Sequence, residues 1–126
     1  MKKIEHYIGL SNIFGETLNT STFEFYEYFS AFFSDDQVED IKQWLKKSNI
    51  IEFALIRNVF VDESHRGLGL GKKLVNQFIK EANSLPILLI AGADDDFNLI
   101  DWYISLGFQT TKFECEDGPI MIKLNN

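Results

Sequence analysis

Cysteine is nearly absent from this sequence: Cys115 stands alone, so no internal disulfide can form. Cys115 itself reads as a small packing residue rather than a nucleophile. The two histidines, His6 and His65, lack a cysteine or carboxylate at ligand spacing, and no metal is expected. Ser64-His65 with nearby Asp62 lacks a nucleophile elbow, so a hydrolase triad has no support. No apolar run approaches the ~20 residues of a membrane-spanning helix. Glu5 and His6 occupy the place where a secretory leader needs its apolar centre, which leads to the expectation of a cytoplasmic protein without membrane association. Cations are also scarce. Lys and Arg total 12 against 19 Asp and Glu, giving a net charge of −7 that both parts of the chain share. Nucleic acid is disfavoured as a partner, because its affinity comes largely from cations neutralising phosphate. A cationic small substrate is better suited. Repeats, low-complexity tracts and interdomain linkers are absent too, and 126 residues read as one domain over 1–126.

What is present is a composition 45% hydrophobic and 25% charged, that of a folded globular chain. Its most informative stretch is Arg66-Gly67-Leu68-Gly69-Leu70-Gly71-Lys72-Lys73-Leu74, directly after the apolar Val59-Phe60-Val61. A strand leading through a glycine turn into a helix exposes backbone N–H groups at the positive end of the helix dipole, which is an anion site. Arg66, Lys72, Lys73 and Lys80 cluster there within an acidic background. The bland meaning of such a cluster is a solvated helix face; its position beside the turn favours anion binding. The spacing excludes two common phosphate loops. No Ser or Thr follows Gly71-Lys72, as a Walker loop requires, and glycines at 67, 69 and 71 do not fit Gly-x-Gly-x-x-Gly.

Along the chain, residues 4–10 predict a short first strand, and Ser11 to Thr22, polar and containing Gly15, predict a loop. Phe23–Phe33 carries seven aromatics in eleven residues. Its periodicity fits strand and helix alike; aromatic enrichment favours strand. The segment reads as core in preference to a stacking platform for bases, and as a dimer interface it leaves monomer and homodimer both open. Ser34-Asp35-Asp36-Gln37 is a capping box ahead of a helix over about 35–48. Ile50–Val61 predicts a central strand covered on both faces, Gly69–Ala82 a helix burying Leu70, Leu74 and Phe78, and Leu85–Ala91 a second buried strand. A right-handed crossover makes these two strands parallel. Asp94-Asp95-Asp96 predicts the start of a helix over about 96–105 that Gly107 stops. Phe108–Glu114 and Ile120–Leu124 predict a final antiparallel pair.

With Arg66, Gly69 and Gly71 filling Arg/Gln-x-x-Gly-x-Gly/Ala, the chain resembles the GNAT superfamily of acyl-CoA-dependent N-acyltransferases. A second stretch, Asp96 to Phe108, resembles that family's Asn-x-x-Ala-x-x-x-Tyr-x-x-x-Gly-Phe, with Tyr103, Gly107 and Phe108 in register. The similarity covers about residues 50–124. It implies an α/β fold, a single GNAT-like domain whose mixed sheet has two splayed parallel central strands flanked by helices. The implied activity is transfer of an acetyl group from acetyl-CoA, as cosubstrate and without a metal, to a primary amine. The same resemblance makes Tyr103 the general acid that protonates the leaving thiolate. A phenol and an alkanethiol differ by only about two pKa units, which makes the transfer nearly thermoneutral. As an isolated residue, Tyr103 also reads as an ordinary core aromatic. The resemblance assigns Arg66, Gly67, Leu68, Gly69, Leu70, Gly71 and Lys72 to the pyrophosphate, and Val59, Phe60 and Val61 to the pantetheine arm and thioester carbonyl. Asp96 and Leu99, at the start of the last helix, complete the cofactor set.

Three departures stand out. Asp96 replaces an Asn and reads equally as a helix cap. The Glu that serves as general base in some relatives at one position and in others at a second is Leu55 and Ala91 here, leaving Glu52, Glu114 and Glu116 as candidates by type alone. The first fifty residues are atypical: a standard member places two helices and a two-stranded hairpin before the central strand, whereas here a helix abuts it. The alternative function is therefore a catalytically degenerate module that binds CoA or a protein partner.

Overall fold

The computed structural model describes residues 2–65, 67–92 and 98–124. Six strands form one mixed sheet with helices on both faces, an α/β architecture. The hairpin of β1 (Lys3–Ile8) and β2 (Ser11–Asn19) comes first, followed by α1 (Phe23–Phe29), α2 (Asp35–Lys47) and β3 (Glu52–Phe60). A single 3-10 turn at Glu63–His65 leads to α3 (Leu70–Ala82), β4 (Ile87–Ile90), α4 (Leu99–Ser105), β5 (Gln109–Cys115) and β6 (Gly118–Lys123). The strands lie in the order β1-β2-β3-β4-β6-β5, with β3 and β4 parallel and every other pair antiparallel. Among the described residues no helix is long and apolar enough to cross a membrane.

The central strand carries a core on each face. Ala54 and Ile56 pack with Leu74, Val75 and Phe78 of α3 and with Leu89 and Met121. Phe53 and Leu55 pack on the other face with Phe25 and Phe29 of α1 and with Val38, Ile41 and Leu45 of α2. Strand β3 is buried from Phe53 to Ile56, as its unbroken apolar run requires. Helix α2 starts as its sequence predicts: Ser34 accepts from Gln37 N–H, and the Gln37 side chain accepts from Ser34 N–H at 3.0 Å. Gly107, at φ +98°, stops α4.

Four expectations need correction. Ser11 to Thr22 is mostly strand β2, not loop, because tertiary partners satisfy its polar residues: Asp62 N–H donates to Ser11 Oγ at 2.9 Å and Lys2 N–H to Thr17 Oγ1 at 2.8 Å. Gly15 is no loop signal either, since a Cβ there would lie 1.9 Å from the Leu55 carbonyl oxygen. The aromatic segment forms helix α1, not a strand; Phe25 and Phe29, one turn apart, have ring centroids 4.8 Å apart, and both reach Phe53. Helix α4 begins at Leu99 with Asn98 as its cap, accepting from Asp101 N–H at 3.1 Å, so the cap is not an aspartate of the Asp94–Asp96 run, which lies outside the described residues. Finally, a helix does abut the central strand as the sequence implies, but the N-terminal part still contains the two helices and the two-stranded hairpin of a standard member, with the hairpin first.

Candidate functional site

Strands β3 and β4 pair only at Ala54↔Ile87 and Leu55↔Leu88. Beyond that point β3 stays with β2 as far as Phe60, opposite Asn12, while β4 stays with β6. The parallel neighbours therefore part, and the backbone edge of β3 after Leu55 faces a gap instead of a ladder. A cavity of about 870 Å³ occupies the gap. Ile56, Leu89 and Tyr103 line it from the core beneath α3 and α4, and Ile90 from the core beneath α1 and α2. The opening thus reaches both faces of the sheet.

The glycine turn forms one wall. Gly67 and Gly69 have φ +87° and +76°, and a Cβ on either would meet nothing within 4 Å. They are needed for backbone conformation, and the space beside them is open. Gly69 caps α3 in the left-handed region, and Lys73 N–H donates to Gly69 O at 3.1 Å. The amides of Leu70, Gly71 and Lys72 precede that bond, within the turn where helix N–H groups have no intrahelical acceptor. All three residues line the cavity, and Lys72 adds a cation to the positive end of the helix dipole. Gly71 has a different reason to be glycine: a Cβ there would sit 2.9 Å from Trp102 Cζ2 and 3.4 Å from Val61 Cγ2. Its smallness lets α3, α4 and the end of β3 meet.

Tyr103 stands on α4, whose start Asn98 ties down. Its ring lies between Trp102 and Phe108, at centroid distances of 4.9 and 5.5 Å. The side chain is buried and still lines the cavity, and its hydroxyl has no hydrogen-bond partner among the described residues. Burial alone pushes its pKa up to about 12, so it remains a neutral phenol.

Of the residues the sequence singles out, the structure brings Val59, Val61, Gly67, Gly69, Leu70, Gly71, Lys72, Leu99 and Tyr103 to this cavity. Phe60 and Leu68 are exposed and do not line it. Arg66 and Asp96 fall outside the described residues. Glu52, Glu114 and Glu116 are exposed and stand away from the cavity, and no described carboxylate lines it.

Sequence reasoning missed Arg57, Asn58 and Trp102 on the cavity wall. The signal for two of them was the polar pair interrupting an apolar central strand. Arg57 is the residue skipped where β2–β3 pairing passes from Phe14↔Asn58 to Gly15↔Ile56, a β-bulge that re-aims a side chain. Its Nε donates to Glu16 Oε1 at 2.8 Å, its Nη2 donates to the same oxygen, and its guanidinium lies 4.8 Å from the centre of the Tyr28 ring. Tyr28, largely desolvated, is also pushed up to about 12 despite the opposing pull of Arg57.

Comparison with known proteins bears on this arrangement. No curated protein matches the chain. Among solved structures, anti-CRISPR protein AcrVA5 is 19% identical with a TM-score of 0.57, covering 97% of this chain and 98% of that one. Arylalkylamine N-acetyltransferase 2 from Aedes aegypti is 21% identical with a TM-score of 0.60, covering 92% and 68%. NAA60 from Arabidopsis thaliana, in complex with a bisubstrate analogue, is 12% identical with a TM-score of 0.62, covering 100% and 78%. At such identities these neighbours speak for the fold. The sequence model of the acetyltransferase (GNAT) domain matches residues 28–110, well over half of the chain, and the chain belongs to the GNAT acetyltransferase family.

Proposed function

We propose that residues 1–126 act as one acyltransferase domain that transfers an acetyl group from acetyl-CoA to a primary amine by direct attack. One observation carries this reading: the gap between β3 and β4 brings the first amides of α3, the edge of β3 that β4 does not pair and Tyr103 to a single cavity. The residues fit the cosubstrate. Open space beside Gly67 and Gly69 admits a diphosphate to the backbone, with Lys72 beside it. Arg66 and Leu68 border the same loop. The edge of Val59, Phe60 and Val61 offers backbone groups to an extended amide-bearing arm and a donor to a thioester oxygen. Leu99 supplies apolar wall, and Asp96, outside the described residues, is assigned to the cosubstrate by the family resemblance alone. When bound, acetyl-CoA supplies an activated carbonyl with a thiolate as leaving group.

Tyr103 holds its proton at Oη and offers it to the departing sulfur. With its pKa pushed up to about 12 by burial, Tyr103 does not give up its proton completely. The near-thermoneutral exchange expected from ordinary pKa values gives way to stabilisation through a hydrogen bond. With no described carboxylate on the wall, the amine loses its proton through water or arrives neutral, and positioning supplies much of the acceleration. The net charge of −7 suits an acceptor carrying an ammonium group.

The missing carboxylate also favours a second reading, a degenerate module that binds CoA without turning it over. Thiol release from acetyl-CoA over a panel of amines separates the two. Amine-dependent release supports the enzyme; binding of acetyl-CoA without release from any amine supports the module.

A further inference from the structure

The cavity wall is cationic in an acidic protein. Arg57 and Lys72 line it, and no described carboxylate does. Lys72 stands at the start of α3, where the diphosphate is assigned. Arg57 stands apart, on the face shared with α1, in contact with Glu16 and Tyr28. Glu16 is a costly residue to place there. It is only 7% exposed, and burying a carboxylate carries a desolvation penalty that an ion pair need not repay in stability. Its effect is to fix an arginine. Two of the five guanidinium N–H groups, on Nε and Nη2, go to Glu16 Oε1, and the guanidinium carbon lies over the Tyr28 ring. The remaining donors belong to a side chain that is 38% exposed, on a residue that lines the cavity. An arginine held by a carboxylate on one edge and an aromatic ring on its face presents a rigid fork, which matches a planar carboxylate.

We infer that Arg57, positioned by Glu16 and Tyr28, binds a carboxylate on the acceptor, so that the acceptor is an amino carboxylate of the amino-acid type and not a simple amine. This rests on the acyltransferase reading and narrows it. The net negative charge of the protein as a whole attracts an acceptor carrying an ammonium group, and its carboxylate meets Arg57, the one fixed cation among the described residues on the α1 side of the cavity.

The test uses acceptor pairs differing only in the carboxylate: amino acids, their amides and their decarboxylated amines. Each is titrated calorimetrically into protein saturated with free CoA and then assayed by thiol release. The expected result is at least one amino acid that binds 10-fold or more tightly than its amide and its decarboxylated partner. Arg57→Ala and Arg57→Lys should abolish most of that difference, chiefly through KM, while acetyl-CoA affinity is unchanged. Glu16→Gln should weaken the preference by loosening Arg57. Because Arg57→Ala leaves Glu16 buried without its partner, the neutral pair Glu16→Leu with Arg57→Met serves as a second variant that tolerates the loss of charge. Equal or tighter binding of the decarboxylated amines, or no binding of any amino acid to the CoA-loaded protein, would overturn the inference. So would an equal loss of acetyl-CoA affinity in Arg57→Ala, which would place Arg57 on the donor side. Failure to bind acetyl-CoA at all would instead remove the acyltransferase reading itself.

Discussion

Gly71 and Trp102 are in contact across the interface of α3 and α4: a Cβ on Gly71 would come within 2.9 Å of the indole edge. Helix propensity favours Ala over Gly by up to ~1 kcal/mol at an interior helical position, whereas overpacking costs about 1–3 kcal/mol. Packing should win. Gly71→Ala is expected to lower stability by about 1 kcal/mol and Gly71→Val by more, with both weakening acetyl-CoA binding because Trp102 is driven toward the cavity. Urea denaturation and calorimetry measure the two effects separately.

Gly15 faces a harder obstacle. A Cβ there meets the backbone oxygen of Leu55 at 1.9 Å and the Phe78 ring at 2.9 Å, and a carbonyl in a sheet cannot turn aside as a side chain can. Gly15→Ala should cost ~3 kcal/mol or more, or abolish soluble expression. A loss below 1 kcal/mol in urea denaturation would show that the β2–β3 bulge is not as described.

At the start of α2, Ser34 and Gln37 cap each other. Ser34→Ala should destabilise by about 1 kcal/mol, and Gln37→Ala by less, since it loses the bonds that Gln37 Oε1 accepts from Ser34 but keeps the Ser34 cap on the residue 37 amide. Neither lines the cavity, so activity at temperatures below the transition should not change.

Tyr103→Phe removes a hydroxyl without removing the ring that packs on Trp102 and Phe108. Turnover should fall by about 10- to 100-fold, the worth of one hydrogen bond to a developing charge, while acetyl-CoA affinity stays nearly constant. Burial holds Tyr103 and Tyr28 at about 12, above the ordinary value of 10. Between those pH values the unfolded state has lost protons that the native state retains, so stability falls as pH rises from 10 to 12 and is intact below 10. Tyrosinate absorbance of the native protein should therefore show a late-titrating fraction, and each Tyr→Phe variant should remove part of it. Full ionisation near pH 10 would contradict the burial of both rings.

How much of this was legible in the sequence depended on how local the cause was. Helix α2, the β3–α3–β4 unit and the stop at Gly107 could be read because caps, glycine turns and apolar runs act over a few residues. Strand β2 could not: Ser11, Glu16 and Thr17 are buried polar residues whose partners, Asp62, Arg57 and Lys2, are distant in the chain. Helix α1 was misread because seven aromatics satisfy two periodicities, and it is Phe53 on another element that selects the Phe25–Phe29 face. On the site, the glycine turn and Tyr103 were visible through spacing. Arg57 was not, because a bulge, which breaks the two-residue alternation, sets its direction.

The central claim is that the gap between β3 and β4 receives acetyl-CoA, and the most direct measurement is isothermal titration of the wild-type chain with acetyl-CoA and with free CoA. The expected result is saturable 1:1 binding of both, with a Kd of roughly micromolar order. Absence of binding at millimolar ligand by a folded protein would contradict the claim.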